Sequence, residues 1–464
     1  MSRSENLVAR SLGAVWHPCT QMKHHEQFPL VPIARGEGVW LIDPDGKRYL
    51  DGVSSWWVNL FGHANPRINA AIKDQLDRLP HVILAGFTQE PVVELSERLA
   101  ELSGLGHAFY GSDGASAVEI ALKMSFHYWK NTGRPGKRKF VSLEGSYHGE
   151  TLGALSVTDV AIFREAYGPL LAENIIAPFP GPGRSALSCE SCCADCVQPS
   201  LIALERIFAT QHEEIAALIV EPLVQGAAGM RMYHPAWLTG ARELCDRFGI
   251  HLIADEIMTG FGRTGTVFAH QQANIRPDFL CLSKGITAGY LPLSCVLATD
   301  TVYAAFYDDA TAKGFLHSHS YTGNALACRA AVETLRIFAD DDVIESNRAK
   351  AERFDTYLAP LAAHANIRNL RRTGMIWAFE VEPAHADFPW AYEVEAANAD
   401  FARRAFRHAL QRGVLLRPIG NTIYFMPPYI INDAEFKLLV DCALDIADFL
   451  GARQTAFAHT KSLP

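Results

Sequence analysis

From about residue 107 to residue 300, short apolar runs alternate with helix-length segments. Lys139-Phe-Val-Ser-Leu143, Ala217-Leu-Ile-Val220, His251-Leu-Ile-Ala254 and Phe279-Leu-Cys-Leu282 read as buried strands. Between two of them, and again after Gly114, the apolar positions take a helical period; Val118, Ala121, Leu122 and Ser125 repeat at i, i+3, i+4, i+7. This alternation predicts an α/β domain on a mainly parallel sheet. Ahead of it, Val39-Trp-Leu-Ile42, the turn Asp43-Pro-Asp-Gly46 and Lys47–Asp51 predict a short meander, followed by helices at about 66–79 and 90–103. Past about 325 the pattern predicts helices over 325–338, 343–364 and 398–412 and strands over Ile376–Val381 and Thr422–Met426. A last helix opens with the capping box Asn432-Asp-Ala-Glu435. The expected organisation is an N-terminal segment, 1–70, that joins a small domain; a large α/β domain, 71–325; and a smaller C-terminal α+β domain, 326–464.

Composition narrows the function classes. The 464 residues are 49% hydrophobic and 20% charged, which excludes a disordered chain and a small disulfide scaffold. A net charge of −9 argues against a nucleic-acid partner held by bulk charge. No apolar run is long enough to span a membrane, and the first residues lack the apolar core of a secretory signal, so a cytoplasmic protein is expected.

The chemistry concentrates where strands end. Asp255 closes one apolar run and Lys284 follows the next, 29 positions later, a spacing that fits one strand–helix–strand crossover. Ligands of open α/β sheets bind at the carboxyl edge of the strands. A carboxylate and an amine there suit pyridoxal phosphate: the lysine forms the Schiff base and the carboxylate keeps the pyridine nitrogen protonated. A capping Asp and a surface Lys are the competing explanation. Phe109-Tyr-Gly-Ser-Asp-Gly114-Ala115 leads into a helix whose N-terminus could cradle a phosphate. Tyr147-His-Gly149 follows another strand and could set an aromatic against the ring. In Ser54-Ser-Trp-Trp57, strand alternation would bury one tryptophan and free the other to line a pocket. Arg417, inside the run Leu415-Leu-Arg-Pro418, needs an anionic partner, either a substrate carboxylate or an internal salt bridge.

Together these pieces resemble the class III pyridoxal-phosphate aminotransferases of fold type I, over nearly the whole chain from Trp16-His-Pro-Cys-Thr20 to Met426-Pro-Pro-Tyr429. The class pattern is carried by Leu252-Ile-Ala-Asp-Glu256, Gly260-Phe-Gly-Arg-Thr-Gly265, Ser283-Lys-Gly285, Glu221-Pro222 and Gly323-Asn324. Ser54-Ser-Trp-Trp57, Tyr147-His-Gly-Glu150, Arg417-Pro418 and Met426-Pro-Pro-Tyr429 are similar to the branch that makes 7,8-diaminononanoate from 8-amino-7-oxononanoate in biotin biosynthesis, with S-adenosylmethionine as amino donor. The resemblance implies a large domain with a mainly parallel seven-stranded sheet, a smaller α+β domain, and a homodimer with active sites at the interface. It implies that Lys284 carries the cofactor and shuttles the proton, that Asp255 pairs with the pyridine nitrogen, and that Gly114 and Ala115 bind phosphate. Tyr147 would pack on the ring and touch substrate, Trp56 would line the substrate pocket, and Arg417 would hold the keto substrate's carboxylate. The loop Leu316–Asn324 would reach the neighbouring subunit's phosphate, with His319 and Ser320 toward cofactor and Ser318 toward substrate. Ser320 stands where the family usually carries Thr, and Cys19 where a Tyr is common. The same class motifs leave lysine as donor, or an ω-amino-acid:pyruvate aminotransferase, as alternatives.

Of ten cysteines, six are scattered and are expected to be reduced thiols, several of them buried. The other four, Cys189, Cys192, Cys193 and Cys196, lie in a Pro/Gly/Ser-rich excursion over 179–200. They are a candidate metal site or a set of surface thiols, peripheral to the chemistry in either case.

Overall fold

The computed structural model describes residues 2–26, 28, 30–181, 194–382 and 391–451. The chain divides into two compact units. The larger comprises Arg67–Ala349 and Thr373–Met375; the smaller comprises Met1–Pro66, Lys350–Arg372 and Ile376–Pro464.

The larger unit is built on a seven-stranded sheet of β1 (His107–Gly111), β2 (Lys139–Leu143), β3 (Ile175–Ala177), β4 (Ile215–Val220), β5 (His251–Asp255), β6 (Phe279–Leu282) and β7 (Ser294–Ala298), in the order β1-β7-β6-β5-β4-β2-β3. Neighbours pair in parallel from β6 to β3, whereas β7 runs antiparallel to both β6 and β1. Six strands therefore share one direction and bring their carboxyl ends to one edge. Every residue of β4, β5, β6 and β7 is buried, as expected of strands covered on both faces. The helix Gly114–Asn131 lays Val118, Ala121 and Leu122 on the sheet, where they join a core with Ile219, Ile253, Phe279 and Val296, and buries Ser125 beside them. The helix Pro235–Phe248 shows why such crossovers stop where they do. Proline occupies its first turn, and Gly249 ends it at φ 61°, a left-handed conformation that costs glycine nothing. Among the described residues, no helix is long and apolar enough to cross a membrane.

In the smaller unit, the strands Arg35–Glu37, Trp40–Ile42 and Arg48–Asp51 form the expected meander, and Val414–Leu415 adds a parallel fourth strand beside Arg48–Asp51. A second sheet joins Ile367–Thr373, Ile376–Val381 and Thr422–Phe425. The helix Asp433–Leu450 starts with the reciprocal cap read from sequence. Asn432 Oδ1 accepts from the Glu435 amide at 3.0 Å, and Glu435 Oε2 accepts from the Asn432 amide at 3.0 Å. The helix expected over 343–364 breaks into Val343–Asp355, a short turn and Ala359–Ala363. Pro360 supplies the reason, because it has no amide hydrogen to continue the ladder.

Candidate active site

The parallel sheet gathers the candidate residues of the larger unit at one edge. Asp255 is the last residue of β5, Lys284 follows β6 by two residues, Glu221 follows β4 directly, and Tyr147-His148 follows β2 by a short turn. Gly114 opens the helix after β1. Each sits where its strand stops pairing, so the side chains are set by the sheet register.

Asp255 is 4% exposed and lies in a built environment. Its Oδ2 is 2.7 Å from His148 Nδ1, and its Oδ1 accepts from the Ile257 amide at 3.2 Å. An ionised carboxylate only accepts, so this contact puts the proton on His148 Nδ1. His148 Nε2 is buried without a partner among the described residues. Lys284 has φ 46°, a left-handed backbone that a lysine adopts only when its surroundings fix it. Burial lowers its ammonium below the ordinary lysine range, while the carboxylates of Asp255 and Glu221 oppose that shift.

Glu221, part of the class motif Glu221-Pro222, is a site residue that the local sequence pattern does not single out. Its Oε1 accepts from the Tyr147 amide and its Oε2 from the Gly226 amide, each at 3.0 Å, so one buried carboxylate ties two loops of the edge together. Burial pushes its pKa up to about 7, with His148 opposing. An unfolded glutamate titrates near 4.5, so between about 4.5 and 7 the folded chain keeps a proton that the unfolded chain has lost. That contribution to stability is fully present below about 4.5 and is gone once pH has risen through about 7; it amounts to about 3 kcal/mol. Glu221→Gln should therefore flatten the fall of the thermal midpoint across this window. A wild-type slope in the variant would contradict the assignment.

The phosphate cradle is also in place. Asp113 caps the helix by accepting from the Ser116 amide at 2.9 Å. Among the described residues, the Gly114 and Ala115 amides make no intrachain hydrogen bond. A Cβ on Gly114 would stand 3.0 Å from Ile257 Cγ2, two residues past Asp255. A Cβ on Gly149, at φ 120°, would stand 2.7 Å from the Ala115 Cβ. Gly149 thus leaves no room for a side chain against Ala115, and Gly114 sits tightly against Ile257. Tyr147 donates its hydroxyl to Glu150 at 2.9 Å and packs its ring against Phe163 at 5.4 Å.

Ser318, His319 and Ser320 form a separate loop, with both serines exposed. Its hydrogen bonds run from the His319 amide to Thr322 Oγ1 at 3.1 Å, from His81 Nε2 to Ser320 O at 2.7 Å, and from Gln89 to Gly323 O at 2.8 Å. Asn324 caps the helix Ala325–Asp340, which packs against the turn beginning at Lys284.

In the smaller unit, the Arg417 guanidinium lies 4.2 Å from the centre of the Trp56 ring. Among the described residues no acidic side chain pairs with Arg417. The tryptophan pair corrects one expectation. Trp57 is 6% exposed and Trp56 40% exposed, so one is buried and one is free, but strand alternation is not the cause. Ser54, Ser55, Trp56 and Trp57 have φ of 51°, 47°, 72° and 73°, one turn of left-handed helix. Such a backbone costs roughly 1–2 kcal/mol per residue, so it persists only where surrounding contacts impose it.

Cys189, Cys192 and Cys193 lie outside the described residues; Cys196 sits half-buried in the turn Ala194–Val197. Among the described residues no cluster could hold a metal ion. Cys245, Cys281, Cys295, Cys328 and Cys442 are buried, and Cys19 is exposed.

The donor set fits pyridoxal phosphate: a desolvated amine, a buried carboxylate for a ring cation, and a glycine-tight helix start with free amides. Comparison with known proteins agrees. A Helicobacter pylori protein named adenosylmethionine-8-amino-7-oxononanoate aminotransferase is 45% identical over 457 residues, covering 97% of this chain and 99% of its own. The crystal structure of the adenosylmethionine-8-amino-7-oxononanoate aminotransferase from Methanocaldococcus jannaschii superposes with a TM-score of 0.88 at 35% identity, covering 96% and 99% of the two chains. An amine transaminase from an uncultivated Pseudomonas species, solved in its PLP-bound form, gives 0.85 at 34% identity, over 94% and 99%. A family model described as Aminotransferase class-III matches residues 21–446. By site, fold and sequence, the chain belongs to the class III aminotransferases.

Proposed function

We propose that this enzyme, with pyridoxal phosphate, transfers an amino group from S-adenosylmethionine to 8-amino-7-oxononanoate, giving 7,8-diaminononanoate for biotin formation. The observation that carries the choice of substrate is the Arg417–Trp56 pair, a cation with no acidic partner among the described residues, resting on a half-exposed aromatic face. A long keto acid offers a carboxylate to the cation and a hydrocarbon chain to the ring. The near-full-length likeness to proteins of that name supports the reading.

Bound pyridoxal phosphate supplies the aldehyde that carries the amino group and an electron-withdrawing ring. Lys284 would hold it and move a proton at the substrate carbon that gains or loses nitrogen. Asp255, fixed by His148 and the Ile257 amide, would keep a negative charge at the ring nitrogen. The free amides of Gly114 and Ala115 would take the phosphate. Tyr147 would cover the ring. In a homodimer, the loop bearing Ser318, His319 and Ser320 would reach the neighbouring subunit's phosphate and substrate. A cytoplasmic location completes the reading.

Arg417→Ala should raise KM for 8-amino-7-oxononanoate about 100-fold, because a charge-assisted contact to carboxylate is lost. An unchanged KM would remove Arg417 from substrate binding. The proposed reaction is tested by mass-spectrometric detection of 7,8-diaminononanoate with S-adenosylmethionine and, in parallel, with lysine as donor. Product with S-adenosylmethionine supports the proposal. Product with lysine alone overturns the donor, and no product with either overturns the substrate.

A further inference from the structure

The left-handed turn over Ser54–Trp57 raises the question of what holds it. Four consecutive residues with side chains sit in a conformation that L-residues avoid. Its ends are fixed by Ser54 Oγ donating to Met426 O at 2.7 Å and by Trp57 Nε1 donating to Tyr424 OH at 3.0 Å. Its middle is fixed by one carboxylate. Asp51 is fully buried; its Oδ1 accepts from the Ser55 amide at 2.9 Å and its Oδ2 from the Ser55 hydroxyl at 2.7 Å. His63 Nε2 stands 3.0 Å from the same Oδ2, and His63 Nδ1 stands 3.1 Å from Asn59 Nδ2. The roles are mutually consistent: Asn59 donates to His63, His63 donates to Asp51, and Asp51 accepts both groups of Ser55.

We propose that Asp51, backed by His63, is a positioning residue for substrate selection: it locks the left-handed turn that presents Trp56 beside Arg417. A buried carboxylate is costly unless its oxygens are satisfied, and here two of the donors that satisfy it belong to the residue next to Trp56. The charge and the turn therefore stabilise each other. This rests on the reading of Trp56 as a substrate contact.

Two variants separate the device from the fold. Asp51→Asn keeps the shape but cannot accept at both oxygen positions. Ser55→Ala removes only the hydroxyl bond. With 5-fluorotryptophan in the eight tryptophan positions, ¹⁹F NMR gives a readout independent of turnover, and Trp56→Phe assigns the Trp56 signal. Both variants should shift the Trp56 resonance and leave those of the fully buried Trp237 and Trp377 in place. Both should also raise KM for 8-amino-7-oxononanoate, by about tenfold for Asp51→Asn, with kcat little changed. In a Trp56→Ala background the Asp51→Asn effect on kcat/KM should vanish, because the two residues act as one unit. A Trp56 resonance that stays put in both variants, or effects of Asp51→Asn and Trp56→Ala that multiply, would overturn the proposal. If all signals move in Asp51→Asn, its fold is lost and Ser55→Ala alone decides. If the Trp56 resonance shifts as expected but Trp56→Ala leaves KM unchanged, the positioning role stands and the reading of Trp56 as a substrate contact fails.

Discussion

Lys284→Ala is expected to lower amino transfer by at least about 10⁴-fold and to abolish the visible absorbance that the wild-type enzyme shows with bound cofactor. The size follows from two losses at once. The variant has no amine to hold the cofactor's aldehyde and none to move a proton at the substrate carbon. The local structure explains why no neighbour substitutes. Lys284 is the lysine that follows β6 at the carboxyl edge, its backbone is left-handed at φ 46°, and Ser283 anchors the turn by donating to Leu293 O at 2.8 Å. Burial already weakens its ammonium, which favours the neutral amine that the chemistry needs. Lys284→Arg should be as inactive, since a guanidinium stays charged throughout the working pH range. Activity within tenfold of wild type in either variant would remove Lys284 from its role.

Asp255→Asn should cost about 10²–10³-fold in turnover, the scale seen when one electrostatic group is removed from a buried site. The amide oxygen can still accept from His148 Nδ1 and the side-chain volume is unchanged, so the substitution removes the charge and the weaker contact from the Ile257 amide. That separates charge from packing. Asp255→Ala should lose at least as much turnover and also lower the thermal midpoint, because it leaves His148 Nδ1 buried without an acceptor. Single-turnover rates of the two variants, read beside their thermal midpoints, check the distinction. Equal turnover in Asp255→Asn and the wild type would contradict a charge role.

The parallel sheet and its chemical edge were legible in the sequence because they depend on local signals. An apolar run buried on both faces has no polar alternation, and a charged residue at its end marks where burial stops; Asp255 and Lys284 were found that way. His148 and Glu221 carried the same signal, one next to Tyr147 and the other directly after β4. Their roles are not legible locally, because they come from hydrogen bonds to residues 107 and 74 positions away. β7 gave a weaker sign, since Ser294-Cys-Val-Leu-Ala298 runs against its neighbours and breaks the alternation that identified the others.

The turn at Ser54–Trp57 was not legible. No residue in it favours positive φ, and the contacts that fix its two ends reach Tyr424 and Met426, more than 360 positions along the chain. Strand alternation gave one buried and one free tryptophan for the wrong reason.

The most direct test of the account is a single-turnover half-reaction. Enzyme loaded with pyridoxal phosphate is mixed with S-adenosylmethionine and its visible absorbance followed, and 8-amino-7-oxononanoate is then added. The account predicts that the absorbance falls with S-adenosylmethionine and returns with the keto acid as 7,8-diaminononanoate forms. Absorbance that S-adenosylmethionine leaves unchanged, while simple ω-amino acids discharge it and pyruvate restores it, would contradict the account and leave only the class III aminotransferase.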